Sequence, residues 1–106
     1  MANQKVQDMR RLLYLEALSL YAKVAKSYRL RGIPVEHWGL PRLLQEIANK
    51  LNQNTIDISW LEENSWGIYH IVSDSYLEGT SLGKDLYDFS DRIDKFVAMC
   101  KSEGMA

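Results

Sequence analysis

The chain has 106 residues, of which 46% are hydrophobic, and a formal net charge of −1 at pH 7. This length and composition predict a single domain spanning residues 1–106 and exclude a chain that is disordered throughout. Charged residues interrupt every apolar run before it reaches membrane-spanning length, and no signal peptide is recognisable. We therefore expect a cytoplasmic protein without a membrane partner, in which the single Cys100 forms no internal disulfide.

The charge is unevenly distributed along the chain. Residues 1–54 carry nine Lys and Arg against four acidic residues, whereas residues 55–106 carry four against ten, so the two halves differ by about +5 and −6. Two interpretations stay open: the halves attract each other within the fold, or the acidic half forms a surface that binds a partner.

The first predicted helix is also the longest. It covers residues 5–31, starts near Asn3 or Gln4, and ends at Gly32, since glycine readily adopts the left-handed conformation that terminates helices. Leucines and tyrosines lie on almost every side of it, which predicts the most buried helix of the bundle, with neighbours on several faces. A short helical turn is expected between Gly32 and Pro41, where Trp38 would close one end of the bundle.

Three more helical segments follow. The second helix is predicted from Pro41 to Leu51, because proline is well tolerated in a first helical turn. Ser59 and Glu62 have the spacing of a capping box, which predicts a short helix that ends before Asn64. Asn64 or Ser65 would then cap a separate helix over residues 66–77.

The last helix is predicted from Thr80 or Ser81 to Lys101, with one apolar face that includes Cys100. On its outer face, residues four apart suggest three ion pairs: Lys84 with Asp88, Asp88 with Arg92, and Asp91 with Lys95. The fold class is therefore all-α, a bundle of four or five helices around the long N-terminal helix.

Catalytic and metal-binding patterns are weak in this sequence. His37 and His70 lie far apart without neighbouring metal ligands, and no phosphate-binding loop or nucleophile elbow occurs, so we predict neither a metal nor a cofactor. The spacing of Arg31 and His37 resembles that of small helical ribonucleases, a resemblance that implies phosphate stabilisation by the arginine and proton transfer by the histidine. Gly32 and Pro34 separate the two residues, which argues against a shared helix face. The sequence pI near 6 argues against strong nucleic-acid binding.

A segment of the acidic half resembles a known family. The run from Leu61 to Glu78 contains Asn64, Trp66, Gly67 and Asp74 in an order similar to that of small helical immunity proteins of polymorphic toxin systems, including the immunity family of neisserial secreted toxins. The resemblance extends over residues 61–99 and implies a non-enzymatic protein that binds and neutralises a toxin. A basic nuclease groove is a surface that an acidic face would complement.

These observations predict a protein-binding module whose partner surface lies on the last two helices. A generic adaptor or dimerising module is the other non-enzymatic interpretation, and association of identical copies stays open. Asp85 and Asp91 are the favoured acids, because Asp88 would be occupied by Lys84 and Arg92, and Trp66 is expected to be partly buried. The candidate partner-binding residues are Glu62, Glu63, Trp66, Asp74, Glu78, Asp85, Asp88 and Asp91.

Overall fold

A computed structural model describes residues 4–35 and 39–104. Its helices are α1 (Gln4–Leu30), α2 (Leu40–Leu51), α3 (Ile58–Ser73) and α4 (Ser81–Ser102), and no strand occurs in these two ranges. The all-α prediction and the long N-terminal helix are therefore confirmed. The predicted turn around Trp38 falls on residues 36–38 and lies outside the described residues.

The four helices surround one core in the order in which they occur along the chain. Each packs against the next, and α4 packs back against α1, whereas α1 and α3 make no contact. The closed ring measures 47 × 22 × 19 Å, and α1, about 40 Å long at 1.5 Å per residue, sets its length. The outer faces of α1 and α3 consequently lie on different sides of the molecule.

Helix α1 is less surrounded than its composition suggests. Val6, Leu13, Ala17, Leu20 and Val24 form a buried stripe against its two neighbours. The prediction of neighbours on several faces was wrong, because a ring of four helices gives each helix only two. Leu12, Leu15 and Leu18 remain 67%, 50% and 41% exposed.

The C-terminal end of α1 and both ends of α2 follow the predicted chemistry. Gly32 adopts a φ of +70°, and the amide of Ile33 donates to the carbonyl of Tyr28 at 2.9 Å, which closes the end of α1. Helix α2 begins one residue before Pro41 and ends at Leu51, as expected.

Helix α3 is continuous, which corrects the prediction of two shorter helices. Asp57, rather than Ser59, caps it by accepting from the amide of Trp60 at 3.1 Å. Asn64 and Ser65 lie inside the helix and do not start a new one: Asn64 donates to the carbonyl of Trp60 at 2.8 Å, four residues back. Gly67 is also central, and it lets Leu43 of α2 approach closely.

The connection from α3 to α4 is longer than predicted. Helix α3 ends at Ser73 instead of Leu77, and the chain turns over residues 74–80, where Gly79 has a φ of +80° and Leu77 is buried. Thr80 then caps α4 by accepting from the amide of Gly83 at 3.0 Å. The two helices form a hairpin whose core includes Phe89, Phe96 and Cys100. Burial raises the pKa of the Cys100 thiol.

Candidate functional site

The strongest candidate site is a surface groove along the α3/α4 hairpin. Its cavity of about 290 Å³ is lined by Trp66, Tyr69, Ser90, Asp91 and Asp94. These side chains converge because residues three or four apart share one face of a helix, and the facing flanks of α3 and α4 are adjacent. Together with the neighbouring Tyr87 they are called the α3/α4 groove below.

Tyr69, which lines the cavity, stacks against Tyr87, which lies next to it. The rings of Tyr69 and Tyr87 are stacked with centroids 4.5 Å apart. The hydroxyl of Tyr69 donates to Oδ1 of Asp91 at 2.8 Å, and that of Tyr87 donates to Oε2 of Glu78. The stacked pair therefore holds two carboxylates at defined positions on the surface.

These hydrogen bonds also control the ionisation of the phenols. Donation to Glu78 raises the pKa of Tyr87 to about 12, and donation to Asp91, with the nearby charges of Asp94 and Asp88, raises the pKa of Tyr69. Both phenols, which are neutral at physiological pH in any case, therefore remain donors to a higher pH than a free tyrosine would. Neither tyrosine was predicted as a site residue.

Buried serines position the third carboxylate. Ser65 and Ser90 are each 1% exposed, and the hydroxyl of Ser90 donates to the carbonyl of Ser65 at 2.9 Å across the helix pair. The hydroxyl of Ser65 in turn donates to Oδ1 of Asp94 at 2.9 Å. Asp94, which was also absent from the prediction, is therefore fixed by a polar chain from inside the hairpin.

Trp66 projects from the groove. It is 61% exposed, with His70 beside it at a ring-centroid distance of 5.2 Å, so the expectation of a partly buried structural tryptophan was wrong. Leaving so large an aromatic surface in water has no benefit for the isolated fold, and tryptophan is among the residues most enriched at binding hot spots.

The other predicted acids are dispersed around this groove. Glu62 pairs with Lys101 at its far end, and Glu78 accepts from Tyr87. Glu63, Asp74 and Asp85 are exposed and do not line the cavity, whereas Asp88 is half-buried. The structure therefore places Trp66 and Asp91 from the predicted set in the cavity, connects Glu78 to them through Tyr87, and leaves Glu63 and Asp85 apart.

The three ion pairs expected along α4 do not form among the described residues. Arg92 binds Glu16 of α1 instead, with Nε donating to Oε1 at 3.0 Å, and this contact raises the pKa of Arg92. Arg92 is therefore not the ion-pair partner of Asp88 that the sequence analysis expected. Arg92 thus points from α4 toward α1, and the negative charges of Asp88 and Asp85 also raise its pKa.

Attraction between the basic and acidic halves does not neutralise the groove. Among ion pairs between described side chains, Lys50 with Asp57 joins a base of the first half to an acid of the second, at 3.2 Å. In the ion pair of Arg92 with Glu16 the roles are reversed, because the base belongs to the acidic half and the acid belongs to the basic half. The carboxylates of Asp91 and Asp94 accept from hydroxyl groups and keep their negative charge uncompensated by these pairs.

Other kinds of site find less support in the described ranges. No cluster of three or more potential metal-ligating side chains occurs in them, and none of their helices is long and apolar enough to cross a membrane. His37 of the ribonuclease hypothesis lies outside the described residues, whereas Arg31 stacks over the Tyr76 ring, 3.8 Å from its centroid. Comparisons with protein-family models, curated proteins and solved structures found no match for this chain.

Proposed function

We propose that this protein is a non-enzymatic binding module that receives a basic segment of another protein in the α3/α4 groove. The observation that carries the proposal is the exposed Trp66 beside the fixed carboxylates of Asp91 and Asp94. An arginine guanidinium can donate to such carboxylates and stack on an adjacent indole, and both interactions gain strength when a partner excludes water.

The geometry favours recognition with little rearrangement. Tyr69 and Ser65 already hold the two aspartates, so binding need not order them, and each carboxylate retains further acceptor capacity. Glu78, Asp88 and the two aspartates place negative charge around the groove, which would accelerate encounter with a basic partner.

The resemblance of residues 61–99 to immunity proteins supports a toxin as this partner. In that form of the proposal, the protein covers the basic substrate groove of a nuclease toxin and blocks access to its nucleic acid. Tight inhibition would depend on Trp66 at the centre of the interface and on the acids around it.

The experiment takes the product of the adjacent gene as the candidate toxin and measures its binding at two salt concentrations. Trp66→Ala should weaken binding by tens of fold, because removal of an anchoring tryptophan costs about 2 kcal/mol or more. Asp91→Asn combined with Asp94→Asn should slow association and reduce its dependence on salt.

Glu63→Gln combined with Asp85→Asn provides the matched control, since it removes the same charge away from the cavity. The control should bind like the unmodified protein apart from a small change in association rate. If both double variants lost affinity equally, the groove would not be the binding site. Full inhibition by Trp66→Ala with unchanged affinity would exclude the tryptophan as the anchor.

A further inference from the structure

The outer face of α1 carries an apolar stripe that the monomer does not cover. Leu12, Leu15 and Leu18 are 67%, 50% and 41% exposed, although Leu15 also lines the edge of a surface cavity that α1 shares with Leu51 of α2. Isolated exposed leucines are common, but neighbouring exposed leucines on one helix form a patch that is typical of an interaction surface.

The spacing of this face is that of a helix-pairing seam. Asp8, Leu12, Leu15, Ser19, Ala22 and Lys26 follow one another at alternating steps of four and three residues, and all six are exposed. This alternation keeps a single line of side chains facing a second helix along their common length. The seam extends for about 27 Å, or five helical turns, at 1.5 Å per residue.

The seam is complementary to itself when two copies run in opposite directions. Leu12 then faces Ala22 of the second copy, and Leu15 faces Ser19 of the second copy, so that each large side chain meets a small one. Twofold symmetry repeats both contacts. Leu18 flanks the seam near the symmetry axis, where it would meet Leu18 of the second copy.

The charges at the ends agree with the same alignment. Asp8 faces Lys26 of the second copy, which gives two opposite-charge pairs per dimer. Arg11 and Lys23 lie on opposite flanks of the helix and are not brought together. One layer further out, Lys5 would approach Arg29 of the second copy, so the favourable contact ends at the Asp8 and Lys26 layer.

We propose that the protein forms a twofold homodimer through antiparallel pairing of α1, with Leu12 against Ala22 and Asp8 against Lys26 of the second copy. A second copy fits this face better than an anionic membrane does, because an acid and a serine interrupt the apolar row at the positions that antiparallel pairing requires. The α3/α4 groove is lined by residues of α3 and α4 and shares none with the seam on α1, so both grooves of the dimer stay open.

Sedimentation of the full chain over a range of concentrations tests the proposal. The unmodified protein should sediment as a dimer, and Leu15→Glu should sediment as a monomer with an unchanged helical circular dichroism spectrum. Leu30→Glu is the matched control, because Leu30 is 79% exposed on the same helix but lies beyond the seam, and it should remain a dimer.

The alignment itself is tested by charge exchange. Asp8→Lys and Lys26→Asp should each weaken dimerisation by about tenfold, since each creates two like-charge contacts, and their combination should restore it to within about threefold. Failure of the combination to restore the dimer would overturn the antiparallel register. A monomer at every concentration, a dimer insensitive to Leu15→Glu, or a monomer that binds anionic phospholipid vesicles through Leu15 would overturn the dimer.

Discussion

A single hydrogen atom at Gly83 allows the turn after α3 to fold against the first turn of α4. A Cβ built at this buried position would overlap the backbone oxygen of Leu77, which cannot move away as a side chain can. Gly83→Ala should therefore lower the free energy of unfolding by about 1 to 3 kcal/mol, despite the higher helix propensity of alanine. Urea denaturation followed by circular dichroism measures the change.

Gly67→Ala is the control for this substitution. Its added Cβ would lie 3.0 Å from Cδ2 of Leu43, the free end of a flexible side chain. The helix propensity gained within α3 offsets the required shift, so we expect a change within about 1 kcal/mol. Equal losses of stability at the two glycines would contradict the close backbone approach at Gly83.

The carboxylate of Glu78 determines how Tyr87 titrates. Because folding raises the pKa of this phenol from 10.0 to about 12, the resulting stabilisation is complete below pH 10 and is lost as the pH rises through 12. Glu78→Gln should move the ionisation of one tyrosine toward pH 10, measured by the ultraviolet absorbance of phenolate. Tyr87→Phe should remove that late step, and a late step surviving in Tyr87→Phe would assign it to another tyrosine.

At the scale of an element, α1 places two consecutive leucines in different environments, one in the core and one on the surface. Leu13 is 2% exposed and Leu12 is 67% exposed. Leu13→Ala should lower the free energy of unfolding by about 2 to 5 kcal/mol because it leaves a cavity, whereas Leu12→Ala should change it by less than about 0.5 kcal/mol. Thermal melting of dilute protein compares the two, and similar melting temperatures would contradict the orientation of α1.

The elements that could be predicted from the sequence are those with strong local signals. Gly32, Pro41 and Thr80 fix helix ends through their own backbone or side-chain chemistry, so the limits of α1, α2 and α4 were nearly correct. The side of α1 that is covered depends on how many helices close the ring, and local periodicity does not contain that information.

Helix α3 shows how tertiary contacts override a local signal. Ser65 resembles a helix cap in the sequence, but its hydroxyl donates to Asp94, which lies 29 residues further along the chain. The same contact explains why Asp94 was missed as a site residue. Trp66 and Asp91 were predicted from their residue types, whereas Tyr69 and Tyr87 gain their role only when the hairpin stacks their rings.

On the scale of the whole molecule, the order of the helices separates two surfaces of opposite character. The outer face of α1 carries leucines among bases such as Lys23 and Lys26, and the α3/α4 groove carries aromatic rings among acids. Because the two surfaces share no residue, one can be occupied while the other remains open. A near-zero net charge thus conceals a strongly dipolar protein.

The same ring order has a consequence for how the chain folds. The α1/α2 and α3/α4 hairpins join helices that are neighbours in sequence, so most of their contacts require only short loops to close. The contact of α1 with α4, including Glu16 with Arg92 across 76 residues, joins the two ends of the chain. Rapid formation of two local hairpins, followed by a slower docking step that brings α4 onto α1, is the kinetic order that this topology favours.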